Sequence, residues 1–204
     1  MALAAMRYAA MGWPVCPAAY PPVRAQRSAD RACSCDRIGC PAPGAHPMSP
    51  AWQLQASANP ALVAQWWGAM PEANVVLATG RVFDVLDVPA KVGIAALAQL
   101  ERSGTRPGPV ALSAENRALF FVLTRGAPQD EQEWWSCNLD NAPEEVSEVS
   151  ALRWHTRDSY VIAPPSRLPG AGAARWLREP ASHPLPDGVR LLEVLADACE
   201  GVPQ

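Results

Sequence analysis

The stretch "NVVLATGRVFDVLDVPAKVG", residues 74–93, changes its periodicity twice. "NVVLATG" and "RVFDVLDV" are apolar and β-branched, as strands are, and the Thr-Gly pair between them predicts a tight turn, so a β-hairpin is expected. From residue 90 the spacing becomes helical: Val92, Ala95, Ala96 and Gln99 run on to Leu100, and Gly104 marks the stop. The second strand carries two carboxylates, Asp84 and Asp87. Their odd separation sends them to opposite faces of a sheet. A proline, Pro89, then stands where a third acid in step with Asp87 would be expected.

Working outward, "ALAAMRYAAM" (2–11) places Leu3, Met6 and Ala10 at helical intervals before Gly12, and the short strand "WPVCP" follows. Asn59 and Pro60 form a helix opening, a cap followed by proline at the first helical position, ahead of an apolar stripe of Leu62, Val63, Trp66, Trp67 and Met70. Adjacent tryptophans on such a stripe are expected to fill the core rather than stack on bases. "PVALSA" and "RALFFVLT" predict another strand pair, and "SYVIAPPS" a short buried strand halted by Pro164 and Pro165. Segment 127–146 is acidic and irregular, an exposed excursion, whereas Asp187 is placed to cap a terminal helix carrying Val189, Leu192, Val194 and Leu195. The order lacks regular β-α-β alternation. It predicts an α+β fold with a mostly antiparallel sheet and flanking helices, in one domain over residues 1–186 with a C-terminal helix and tail over 187–204.

Length and composition agree with a folded domain: 204 residues, 49% hydrophobic and 18% charged. The 22 prolines cluster at 41–50, 164–169 and 180–186 and stiffen the connections. No apolar run approaches the roughly 20 residues that span a bilayer, and the alanine-rich start has no cleavage site, so a cytoplasmic protein without a membrane partner is expected. The net charge of −3 gives no general attraction to nucleic acid, so any such contact must be local. Of 17 basic residues only Lys91 is lysine, a bias that reports a GC-rich coding genome of actinobacterial type rather than selection for anion binding.

Within the Pro- and Gly-rich loop at 30–50, Cys33, Cys35, Cys40 and His46 follow a C-x-C-x4-C-x5-H spacing. Three thiolates and one imidazole complete a closed tetrahedral zinc site, a structural staple for a loop without apolar periodicity. Free or redox-active thiols are the alternative, and a stable disulfide suits a reducing cytoplasm poorly. Cys16, Cys137 and Cys199 lie apart and are expected as buried apolar cysteines.

Taken together, "ALAAMRYAAMGWPVCP", the cysteine loop ending in "PGAHP", "WWGAMPEANVVLATG", "VFDVLDVPAKVG" and "SYVIAPPS" resemble, in order and over roughly residues 2–167, the bifunctional DNA primase/polymerase (prim-pol) domain of the archaeo-eukaryotic primase superfamily. The resemblance implies a primase-like core and nucleotidyl transfer with two Mg²⁺ or Mn²⁺ ions held by carboxylates. In that family an Asp-x-Asp pair ends the strand after the Thr-Gly turn, its members about 6.6–6.8 Å apart on one face. Here the pair reads Asp87, Val88, Pro89. The family's "GRHLYF"-like strand, whose His touches the incoming triphosphate, reads "NRALFF", keeping Arg117 as the nucleotide-binding candidate with Ala118 in place of the His. Its later acid falls at Arg153, with Asp158 and Glu148 as the neighbouring carboxylates.

A lone carboxylate at Asp87 does not seat two hard cations that each demand several oxygens. The sequence therefore leans away from an enzyme and toward a primase/polymerase-like pseudoenzyme that binds nucleotide or nucleic acid in DNA replication, with a helicase or another replication protein acting in trans. Two other readings stand beside it. One is an active metal-dependent primase-polymerase with a relocated metal site; the other is a regulatory protein-interaction module using the acidic segment.

Overall fold

A computed structural model describes residues 1–22, 33–35, 37–124 and 152–200. The 127–146 excursion, Glu148 and Cys137 lie outside the described residues. The described residues fall into two compact units, one drawn from Met1–Ala78, Ser113–Glu115 and Tyr160–Arg175, the other from Thr79–Leu112, Asn116–Ser159 and Trp176–Gln204. Each is an α+β arrangement built on its own antiparallel sheet.

In the first unit, helix α1 (Ala2–Ala10) precedes strand β1 (Val15–Ala18), a short helix α2 (Trp52–Gln55) and helix α3 (Pro60–Ala69), then strand β2 (Asn74–Ala78). Strand β7 (Tyr160–Ile162) completes a sheet of order β1-β2-β7, with Val15 opposite Leu77 and Val76 opposite Ile162. The caps follow the sequence: the Asn59 side chain accepts a hydrogen bond from Ala61 N, with Pro60 opening α3. Of its stripe, Val63 and Trp67 are buried and Leu62 is exposed, because Trp67 turns its ring inward and donates Nε1–H to the Ala73 carbonyl at 2.9 Å. Cys16, Ala18, Trp52, Ala56, Val76 and Ala78 form the core beneath Tyr160 and Ile162.

The outer edge of β1 is covered by loop segments. Val15 exchanges two backbone hydrogen bonds of 3.0 Å with Ser57, Ala19 N–H donates to the His46 carbonyl at 2.8 Å, and Met48 N–H donates to the Pro17 carbonyl at 3.0 Å. Buried Asn74 ties the same loop to the chain after β7. Its amide nitrogen donates to the carbonyls of Gly44 (3.0 Å) and Arg167 (2.7 Å), and its amide oxygen accepts Arg167 N–H at 3.0 Å.

The second unit contains β3 (Phe83–Pro89), helix α4 (Ala90–Arg102), β4 (Val110–Leu112), β5 (Arg117–Leu123), β6 (Arg153–His155), β8 (Arg175–Arg178) from Trp176 onward, and helix α5 (Gly188–Glu200). Its sheet has the order β6-β3-β5-β4-β8. The expected β4–β5 pair is present, with Ala111 opposite Leu119. Leu86, Val88, Ala118, Phe120, Val122 and Trp154 present one sheet face to Ala96, Leu97 and Leu100 of α4 and to Leu191 and Leu195 of α5. Asp187 caps α5, accepting from Val189 N–H at 3.0 Å.

Three expectations change. The hairpin across Thr-Gly does not form: β2 pairs with β1 and β7, whereas β3 pairs with β5 and β6. Both edges of each strand are already taken, and the Thr-Gly pair clamps the turn after β6 instead. Thr79 Oγ1 donates to the Thr156 carbonyl and Thr79 N–H to the Ser159 carbonyl. A Cβ on Gly80 would stand 2.1 Å from Arg157 Cα, so glycine is required there for close approach. On α4 the buried face is Val92, Gly93, Ala96, Leu97 and Leu100, whereas Ala95 and Gln99 are exposed. The helix turns Gly93 to the sheet, where an added Cβ would meet Ala118 Cβ at 2.3 Å. On α5 the buried positions are Leu191 and Leu195, and Val189 is exposed.

Candidate functional site

Two groupings carry chemistry, one in each unit. In the first, the ligand atoms of Cys33, Cys35, Cys40 and His46 all lie within 4.8 Å of one another, and the four could hold a metal ion. A tetrahedral ion with Zn–S bonds of about 2.3 Å and a Zn–N bond of about 2.0–2.1 Å would separate its ligand atoms by roughly 3.5–3.8 Å. Cys33 Sγ and His46 Nε2 are 3.4 Å apart.

The local chain places these atoms. His46 is fixed alongside β1 by its own carbonyl, and its Nδ1 donates to the Pro47 carbonyl at 2.9 Å. A carbonyl only accepts, so Nδ1 carries the proton and Nε2 turns its lone pair toward the thiols, the tautomer a metal ligand needs. Gly44 N–H donates to Cys33 Sγ at 3.4 Å. Burial pushes the Cys33 thiol up to about 11, while the Arg37 backbone N–H brings half-buried Cys35 down to about 7. Cys16 is a core thiol pushed up to about 12 by burial, and Cys199 is half-buried and likewise raised by burial.

The second grouping surrounds Asp87, which is 4% exposed on the β3 face opposite the helices. Leu86 and Val88 face the helices, and Asp84 shares their side, as the odd spacing requires. Arg117 Nε donates to Asp87 Oδ1 at 2.5 Å, and its Nη2 donates to the Asp87 backbone carbonyl at 3.0 Å. His155 Nε2 lies 3.3 Å from Asp87 Oδ2, and its Nδ1 lies 3.0 Å from Ser159 Oγ.

Strand register explains this convergence. Pro89 stands opposite Arg117 on β5, and Asp87 opposite Arg153 on β6, so His155, two residues beyond Arg153, shares their face. Ala118 faces the other way, against Gly93 of α4, and a histidine there would point into the helix-side core. Asp158, at φ +61, sits in the turn after β6 with its side chain 55% exposed and Arg157 at 3.9 Å. Among the described residues, no further His, Cys, Asp or Glu completes a set of three around Asp87. The sequence alone points to neither His155 nor Ser159. The available signal was the alternation of Arg153 and His155 on one strand, and it names no partner by itself.

No helix among the described residues is long and apolar enough to cross a membrane. A search of curated proteins returns no match to this chain. The family model for the bifunctional DNA primase/polymerase N-terminal domain matches residues 5–188, nearly the whole chain. All the strands of both sheets, the Cys/His loop and Asp87 fall inside that match, and the chain belongs to the bifunctional DNA primase/polymerase N-terminal family.

Proposed function

We propose that this chain is a primase/polymerase-family domain that binds a nucleotide or nucleic-acid strand, in a replication-related role in the cytoplasm, without two-metal nucleotidyl transfer. One observation carries the reading: both oxygens of Asp87 are engaged, one by the Arg117 guanidinium and the other by His155. A pair of hard divalent cations needs several free carboxylate oxygens in near-octahedral order. The donor set around Asp87, among the described residues, does not fit them. One cation, Arg117, is already bonded to this acid, and Arg153 stands directly across the strand pair. That balance suits a phosphate ligand more than a metal.

At the other grouping, three sulfurs and one imidazole nitrogen suit a structural Zn²⁺, which would fasten the loop and leave no open coordination position.

Primer extension with Mg²⁺ or Mn²⁺, on protein of measured zinc content, tests the proposal beside anisotropy of labelled nucleotide and single-stranded DNA. No extension and saturable binding are expected. With two or three phosphates neutralised on a single strand, the logarithm of affinity should fall against the logarithm of salt with a slope of about −1.5 to −2. Extension that Asp87→Ala abolishes would restore an active polymerase, and absence of both binding activities would leave the interaction module.

A further inference from the structure

We propose that Ser159 is a nucleophilic hydroxyl, activated by His155 and oriented through Asp87, that takes the acyl group of a small activated carboxylic ester. The proton positions follow from the partners. A carboxylate only accepts, so the 3.3 Å contact from His155 Nε2 to Asp87 Oδ2 requires hydrogen on Nε2. In the neutral ring Nδ1 is then a lone pair, and Ser159 Oγ–H, 3.0 Å away, is its donor. Hydroxyl, base and orienting acid stand in line, the arrangement that identifies an activated nucleophile.

The neighbours hold that line still. Arg117 secures Asp87 through Oδ1 and the backbone carbonyl and leaves Oδ2 for the imidazole. His155 is 13% and Asp87 6% exposed at the side chain, so water competes little for their contact. The turn that presents Ser159 is clamped by Thr79, which donates to the carbonyls of Thr156 and Ser159, and by the close approach of Gly80 to Arg157. Ser159 itself is half-buried.

In the reaction, the Ser159 proton passes to His155 Nδ1 as Oγ bonds the ester carbonyl carbon. Collapse breaks the carbon–oxygen bond to the alcohol, which leaves with the proton from Nδ1. Water, deprotonated by the same nitrogen, then cleaves the acyl–Ser159 bond, releasing the carboxylic acid and restoring the hydroxyl.

The proposal shares Asp87 and His155 with the phosphate-binding reading but has its own readout, so absence of Ser159 labelling alongside intact nucleotide binding would sink this proposal alone. A fluorophosphonate probe on the full folded chain, with the adduct mapped by mass spectrometry, tests it. Labelling at Ser159 is expected in the native but not the heat-unfolded chain, absent in Ser159→Ala, and roughly a hundred-fold slower in His155→Gln. Hydrolysis of p-nitrophenyl acetate should fall in parallel. Native labelling no faster than in the unfolded chain, labelling at another serine, or an unchanged rate in His155→Gln would overturn the proposal. If His155→Gln does not fold, Ser159→Ala decides: loss of p-nitrophenyl acetate hydrolysis in the folded variant is expected, and a rate equal to that of the unsubstituted chain would overturn the proposal.

Discussion

Only 4% of Asp87 meets solvent, and its two oxygens are divided between Arg117 and His155. Removing one partner of a buried pair typically costs about 3–5 kcal/mol, because the other is left uncompensated. Arg117 keeps some solvent access, 16% at the side chain, so Asp87→Asn should fold with reduced stability. That variant frees the guanidinium from a charged partner. Its affinity for a nucleoside triphosphate in metal-free buffer should rise about five- to thirty-fold, equivalent to about 1–2 kcal/mol, by fluorescence anisotropy. In a metal-dependent polymerase the same change would weaken binding of the metal-loaded nucleotide. Strand alternation made the opposing faces of Asp84 and Asp87 legible. The partners were not, since Arg117 is 30 and His155 68 positions away in sequence, and only strand pairing brings them together.

Among the elements, α4 lies closest to its sheet where Gly93 meets Ala118. Gly93→Ala improves helix propensity by up to about 1 kcal/mol, but its methyl would stand 2.3 Å from Ala118 Cβ and 3.0 Å from Val88 Cγ2. Overpacking should win, with a net loss of about 1–3 kcal/mol in urea unfolding. Adding Ala118→Gly should recover part of the loss, a coupling that a double-mutant cycle reads directly. Helix positions, the Asn59 and Asp187 caps and the β4–β5 pair were legible because each depends on neighbours in sequence. The β2–β3 hairpin was misread for the opposite reason. Thr-Gly reports a local bend, but which edge a strand joins is set by β1, β5, β6 and β7.

Across the molecule, the clustering of Cys33, Cys35, Cys40 and His46 was legible, all four lying within one short loop, whereas the Asp87 grouping draws on three strands and a turn. Each compact unit is likewise assembled from separate stretches, which no local periodicity announces. Alkaline stability gives a measure of the first unit. Burial raises Cys16 from 9.0 to about 12 and also raises Tyr160, so the neutral forms are preferred in the folded chain. The stabilisation is complete below the unfolded pKa values and is lost as pH rises through the folded ones. The unfolding free energy from urea titration should therefore decline above about pH 9, by up to a few kcal/mol, and Cys16→Ala should flatten the first part of that decline.

His46 serves two masters, since its ring faces the thiols while its own carbonyl covers the backbone of Ala19 beside β1. If the four side chains hold an ion, stripping it would therefore do more than loosen a loop. It would bare the Ala19 N–H and the Pro17 carbonyl at that edge, ready to recruit a strand from a second molecule. Chelation would then show first as self-association of this protein.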